Sequence, residues 1–218
     1  MKKHSVSPLL ALLFAFVFIT PVLASATTAA VPADIAQKLL IEGNQRFVTD
    51  KYTMPQIGQE RRSKLTEVQH PFAVIVSCSD SRVPPEIIFN QGLGDLFVVR
   101  VAGNVLDSLE LGSVEYAVEH LGTKLIVVLG HEKCGAVKAT VDGGDIPPNI
   151  AAIAAKIQPA VDTARAANSS NIYEASADAN ISNMVAHLHA DPLLAHIDGV
   201  IIVGAKYHLE SGQVELIK

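Results

Sequence analysis

The sequence contains no tryptophan and only two cysteines, and just 5% of its residues are aromatic. Two cysteines exclude a disulfide-dense scaffold, which needs several bridges to replace a missing core. A formal net charge of −5 excludes the basic footprint of a nucleic-acid binder. Also missing is an apolar run of the roughly 20 residues that span a bilayer. The nearest approach, Leu9 to Ile19, follows the basic Met1-Lys-Lys-His4 and precedes Ala24-Ser-Ala26. That order reads as a secretory signal peptide cleaved after Ala26, with a membrane anchor as the competing reading.

Residues 27–218 are then the mature chain, one domain with its own core and no membrane attachment after cleavage. Loss of Lys2 and Lys3, with no acidic residue lost, moves its charge to about −7. Export would carry it across the inner membrane, into the periplasm where the cell is Gram-negative.

Several nucleotide and phosphate signatures are incomplete. Cys78 and Arg82 have only three residues between them, too few for the C-x5-R loop that wraps a phosphate. Gly130 and Gly135 have the outer spacing of a P-loop, but Ala136-Val137 stands where Lys-Ser/Thr must follow. Gly92-Leu-Gly94 lacks a third glycine and precedes a strand, so no dinucleotide fingerprint forms.

What is present is an alternation of strand and helix patterns. Ala33 to Val48 carries Ile35, Leu39, Leu40 and Phe47 at helical spacing, while Lys51 to Gln69 is polar and irregular. Four short apolar runs follow, Phe72 to Val76, Leu96 to Val101, Lys124 to Leu129 and Gly199 to Val203. None alternates apolar with polar, so each is expected to be buried on both faces. Helical patterns over Ser108 to Leu121, Ile150 to Ala167 and Ile181 to His189 separate them. Gln213 to Ile217, after Ser211-Gly212, reads as an edge strand in a final hairpin. The fold class is α/β, a single domain with a mostly parallel sheet of about four strands plus an antiparallel edge strand, flanked by helices.

Ligands gather at the carboxyl ends of such strands. Two polar loops leave strand ends directly, Cys78-Ser-Asp-Ser-Arg82 and Gly130-His-Glu-Lys-Cys-Gly135. Together they offer two thiols and one imidazole, a set that holds catalytic zinc with a fourth position open. A Cys78–Cys134 disulfide and a thiol enzyme built from Cys78, His131 and Asp80 remain as alternatives, although each leaves part of the set unused.

C-S-D-S-R after a strand, F-V-V-R followed by G-N, V-E-Y-A-V on a helix and G-H-x-x-C-G occur in this order, and E-G-N-Q-R-F-V stands before them in the opening helix. In these landmarks, from about Ala33 to the C-terminus, the chain resembles the β-class carbonic anhydrases, as an exported bacterial type. The resemblance implies a zinc lyase that interconverts carbon dioxide and bicarbonate by attack of zinc-bound hydroxide, with one Zn2+ per subunit in a homodimer or multiple of dimers. It implies Cys78, His131 and Cys134 as metal ligands and Asp80 with Arg82 as catalytic dyad. Gln69, Phe97, Ala102, Tyr116 and Gly135 would bind substrate, some of them facing a neighbouring subunit's site. Family members that switch with bicarbonate use a tryptophan three residues before the first cysteine and an arginine. Arg100 matches the arginine, but position 75 is Ile, so an open site without that switch is expected. A zinc-binding protein without catalysis, and an enzyme acting on a sulfur analogue of carbon dioxide, are the alternatives of other kinds.

Overall fold

A computed structural model describes residues 30–53 and 55–217. The signal peptide expected over residues 1–26 lies outside them. In chain order the elements are α1 (Ala33–Val48), α2 (Gln59–Lys64), β1 (Ala73–Ser77), α3 (Pro85–Ile88), β2 (Leu96–Arg100), a 3-10 turn (Ala102–Asn104), α4 (Ser108–Glu119) and β3 (Leu125–His131). They continue with α5 (Gly135–Asp142), α6 (Pro148–Ala166), α7 (Ile172–His189), a second 3-10 turn (Leu194–His196), β4 (Ile201–Tyr207) and β5 (Val214–Ile217). No helix among the described residues is long and apolar enough to cross a membrane.

The strands form one sheet in the order β2-β1-β3-β4-β5, parallel except for the antiparallel β5 at its edge. Ser77 at the end of β1 pairs with Arg100 and Leu129, and His131 at the end of β3 pairs with Tyr207. The register therefore opens both polar loops on the same edge of the sheet.

Burial corrects one expectation. Every residue of β1 and β3 is buried, but β2 is only half-buried along its length and β4 begins with an exposed Ile201. A flanking strand has one neighbour in the sheet, and α4 covers only part of β2, with Val114, Ala117 and Val118 turned inward. A second correction concerns α7, which begins nine residues before the expected Ile181, and a third is the short α2 inside the stretch read as irregular.

The opening helix has a physical reason for its Gly43-Asn44 pair. A Cβ on Gly43 would stand 1.8 Å from the Phe89 carbonyl oxygen, so only glycine permits the contact. Buried Asn44 donates to the carbonyls of Ile88 and Gly212 and accepts from the Val214 amide, tying α1 to α3 and to the β4–β5 hairpin. Each satisfied bond of this kind contributes on the order of 1 kcal/mol.

On the opposite face, α7 lies against β3 and β4 where both strands lack side chains. A Cβ on Gly130 would come within 2.5 Å of Ile181, and one on Gly204 within 2.8 Å. Ile181 itself is fully buried in that notch.

Candidate metal centre

β3 ends at His131, and Cys134 is the N-cap of α5, three residues on. Cys78 follows β1 directly. One ligand atom from each of these three buried residues lies within 4.8 Å of the other two, and no other such group occurs among the described residues. Both thiols are free, which removes the disulfide alternative.

The donor set fits a thiophilic ion. His131 is 1% exposed, and its Nδ1 is bonded to the Glu132 carbonyl oxygen at 2.8 Å. That bond fixes Nδ1 as the protonated nitrogen and leaves Nε2 as the donor. Nε2 has no hydrogen-bond partner, a costly state for a buried nitrogen unless a metal takes its lone pair. Two sulfurs and one imidazole suit zinc.

Electrostatics around the sulfurs agree. Cys78 is drawn down to about 4, first by the hydrogen bond of Cys134, against burial, and then by His131 and the Gly103 and Asp80 amides. Those two N–H groups point at Cys78 Sγ from 3.2 and 3.4 Å. Cys134 is driven upward, first by the Cys78 thiolate and then by burial, while the amides of Val137 and Ala136 pull it down more weakly. The two sulfurs titrate as a coupled pair, with Cys78 favoured as the thiolate and Cys134 disfavoured by the charge beside it. Burial opposes protonation of His131, yet the Cys78 thiolate, the Glu132 carbonyl and Asp80 outweigh it and raise its pKa.

Asp80 is held at the rim of the cluster. Arg82 donates from Nε to Oδ1 at 2.9 Å and from Nη2 to Oδ2 at 2.7 Å, and its backbone amide adds a third bond at 2.9 Å. These bonds, led by the Arg82 side chain and opposed by burial, keep the Asp80 carboxyl at about 2. Asp80 Oδ2 is also 3.9 Å from His131 Nε2, so the carboxylate faces the ligands while bound to its arginine. Arg100 donates to the carbonyl oxygens of Cys78 and Asp80 at 2.9 and 2.6 Å, so its guanidinium clamps this loop. Ile75, which stands where bicarbonate-switching family members have tryptophan, is fully buried.

The other expected site residues divide. Gly135 opens α5 beside Cys134, and Ala102 begins the turn whose Gly103 bonds Cys78. Gln69 and Tyr116 instead line a separate cleft of about 510 Å³ with Leu65, Val68, Leu93 and Leu121. Phe97 stands beside Tyr116, with ring centroids 6.4 Å apart. None of these three lies at the metal cluster of its own chain. Sequence reasoning missed Glu174 and Asn180 on α7, which bond the Lys133 amide and the Gly103 carbonyl. Neither carries a motif, and their only signal is polarity inside a helix.

A parallel sheet with a Cys-His-Cys cluster at its strand ends, and an Asp-Arg pair beside it, defines a thiolate-type metalloenzyme class. Comparison with known proteins narrows the class. The family model for carbonic anhydrase matches residues 73–214, and the chain belongs to that family. It is 46% identical over 191 residues to a carbonic anhydrase of Mycolicibacterium smegmatis, covering 83% of this chain and 91% of the relative. It is 42% identical over 189 residues to carbonic anhydrase 2 of Mycobacterium tuberculosis, with the same coverage. The Coccomyxa β-carbonic anhydrase in complex with acetazolamide superposes with a TM-score of 0.67 at 26% identity, over 71% of this chain and 75% of that one. Two tetrameric β-carbonic anhydrases of Sordaria macrospora share the fold, with a TM-score of 0.68 at 24% identity over 72% and 85% of the chains.

Proposed function

We propose that this protein is an exported β-class carbonic anhydrase that reversibly hydrates carbon dioxide, with one zinc per subunit held by Cys78, His131 and Cys134. The observation that carries the reading is His131 Nε2, buried and unbonded between two thiols and facing Asp80. Cys78, His131 and Cys134 would hold zinc, which when bound would supply a Lewis acid able to make water nucleophilic near neutral pH. Asp80, ionised and therefore acceptor-only, can take the hydrogen bond of the attacking water and fix which way its lone pair faces. Arg82 keeps that carboxylate charged and away from the ligands, consistent with an open site. Arg100 clamps two carbonyl oxygens of the loop, and Ile75 stands where family members that switch with bicarbonate have tryptophan, which supports a site without that switch.

Gln69, Phe97 and Tyr116 complete the substrate pocket of a second copy. Support comes from the cleft that Gln69 and Tyr116 line beside Phe97, where Leu93 and Tyr116 are nearly half exposed. Exposed apolar side chains gathered in one cleft favour an association surface. The protein is therefore a dimer or a multiple of dimers. Stopped-flow hydration of carbon dioxide by metal-quantified protein tests the activity. Fast turnover that disappears on chelation and returns with zinc is the expected result, and zinc-loaded protein without turnover overturns it.

A further inference from the structure

Residues of one helix, α7, hydrogen-bond the backbone beside both cysteines of the cluster. Gly103 sits between Cys78 and α7. Its amide donates to Cys78 Sγ at 3.2 Å, and its carbonyl accepts from Asn180 Nδ2 at 2.8 Å. Asn180 is 1% exposed. Gly103 adopts a positive φ of 75°, and a Cβ there would stand 2.7 Å from Ile157 Cδ1, so the backbone has no side chain of its own to hold it. Its orientation is set by the bonds at its two ends.

Six residues earlier on α7, Glu174 does the corresponding work on the other ligand loop. Its Oε1 accepts the amide of Lys133, the residue before Cys134, at 3.2 Å. Lys133 is a non-glycine residue at a φ of 52°, a conformation that needs outside support. Glu174 is in turn anchored through Oε2 to Lys206 Nζ at 2.8 Å, and Lys206 also pairs with Asp178 at 2.8 Å. The Lys206 side chain is only 11% exposed, so this anchor is screened far less than a surface pair.

We propose that Asn180 and Glu174 are positioning residues for the metal, Asn180 acting on Cys78 through Gly103 and Glu174 acting on Cys134 through Lys133. The proposal rests on the zinc reading given above. Outer partners of this kind typically change metal affinity by about 10- to 100-fold when removed. An amide aimed at a thiolate also lowers its electron donation, so its loss alters the thiolate-to-metal bond itself and not only the fold.

The test compares full-chain wild type with Asn180→Leu, Asn180→Ser, Glu174→Ala and Met184→Ala. Met184 is a buried apolar residue of the same helix and serves as control for loss of packing. Zinc affinity is read by competition with a chromophoric chelator, and the sulfur-to-metal bond by the charge-transfer absorption of the cobalt(II)-substituted protein. Asn180 and Glu174 variants should bind zinc about 10- to 100-fold more weakly. The Asn180 variants should also shift the cobalt band, while Met184→Ala destabilises the fold with zinc affinity within about twofold of wild type. If Asn180→Leu does not fold, Asn180→Ser is judged by the same criteria. Variants with wild-type affinity and spectrum overturn the proposal. Wild type that takes up neither metal overturns the zinc reading itself.

Discussion

The strands β1 and β2 have similarly apolar sequences, yet the β1–β3 interior and the β2–α4 flank differ in completeness. Both strands of the interior are buried throughout, and at their ends three ligands, a paired Asp80 and a clamping Arg100 converge within one chain. On the flank β2 is half-buried, Tyr116 is 47% exposed, and the expected pocket residues Gln69 and Phe97 stand away from the metal cluster. The candidate metal cluster is thus gathered within one chain, whereas the residues expected to bind substrate are not gathered around it.

The largest effect should come from attacking the complete side. Asp80→Asn keeps the size of the side chain and removes the charge that Arg82 holds, so hydration should fall about 10²- to 10⁴-fold with zinc content unchanged. Because Asp80 is kept at about 2, it stays ionised down to that region, and any loss of wild-type activity between pH 5 and 7 must come from another group. Metal analysis beside stopped-flow rates checks this, and near-normal turnover with full zinc would sink the dyad assignment.

An intermediate effect should follow on the incomplete side. Tyr116→Arg places a cation in the exposed apolar face and should raise the dimer dissociation constant about 30-fold, the equivalent of about 2 kcal/mol. Sedimentation should show monomer that still carries zinc, with activity recovering as concentration rises. A variant that stays associated and active would place the second copy elsewhere.

The smallest effect concerns a brace behind the ligands. His208 bonds Glu132 at 2.7 Å and Glu215 at 3.2 Å, and Glu132, between His131 and Cys134, also accepts the Leu209 amide. The Glu132 partner raises the His208 pKa against burial, so this stability is fully present below the ordinary histidine value of about 6.5 and fades as pH rises through the raised one. Glu132 is lowered, chiefly by His208, so its share fades as pH falls below its ordinary value of about 4.3. Urea midpoints of wild type and His208→Gln should therefore differ most near pH 5 to 6, by up to about 1 kcal/mol, and converge by about pH 9. A difference independent of pH would mean that packing, not charge, sets it.

The same contrast explains what could be read in advance. The bounds of α1 and the placement of His131 and Cys134 at a strand end and helix start followed from apolar periodicity and from loops rich in ligand atoms. Two-sided burial of β2 did not hold, because an apolar strand looks the same whether its cover is a helix of its own chain or another molecule. The first half of α7 escaped for a different reason. Its buried positions include Ser176 and Asn180, so the helical period is present while the hydrophobic stripe is not. Polar residues stand there because that stretch faces loops whose amides and carbonyls need partners.

The glycine notch under Ile181 gives α7 a mechanical character that its chemistry alone would not. A helix resting on bulky side chains can slide by small repacking steps, whereas one keyed into two missing side chains has a single seat along and across the strands. Alignment tolerance at the ligand loops is then set in the middle of the sheet, at Gly130 and Gly204. Enlarging either glycine should degrade the fit of the metal before it degrades the fold, as a misplaced dowel spoils a hinge long before it weakens the door.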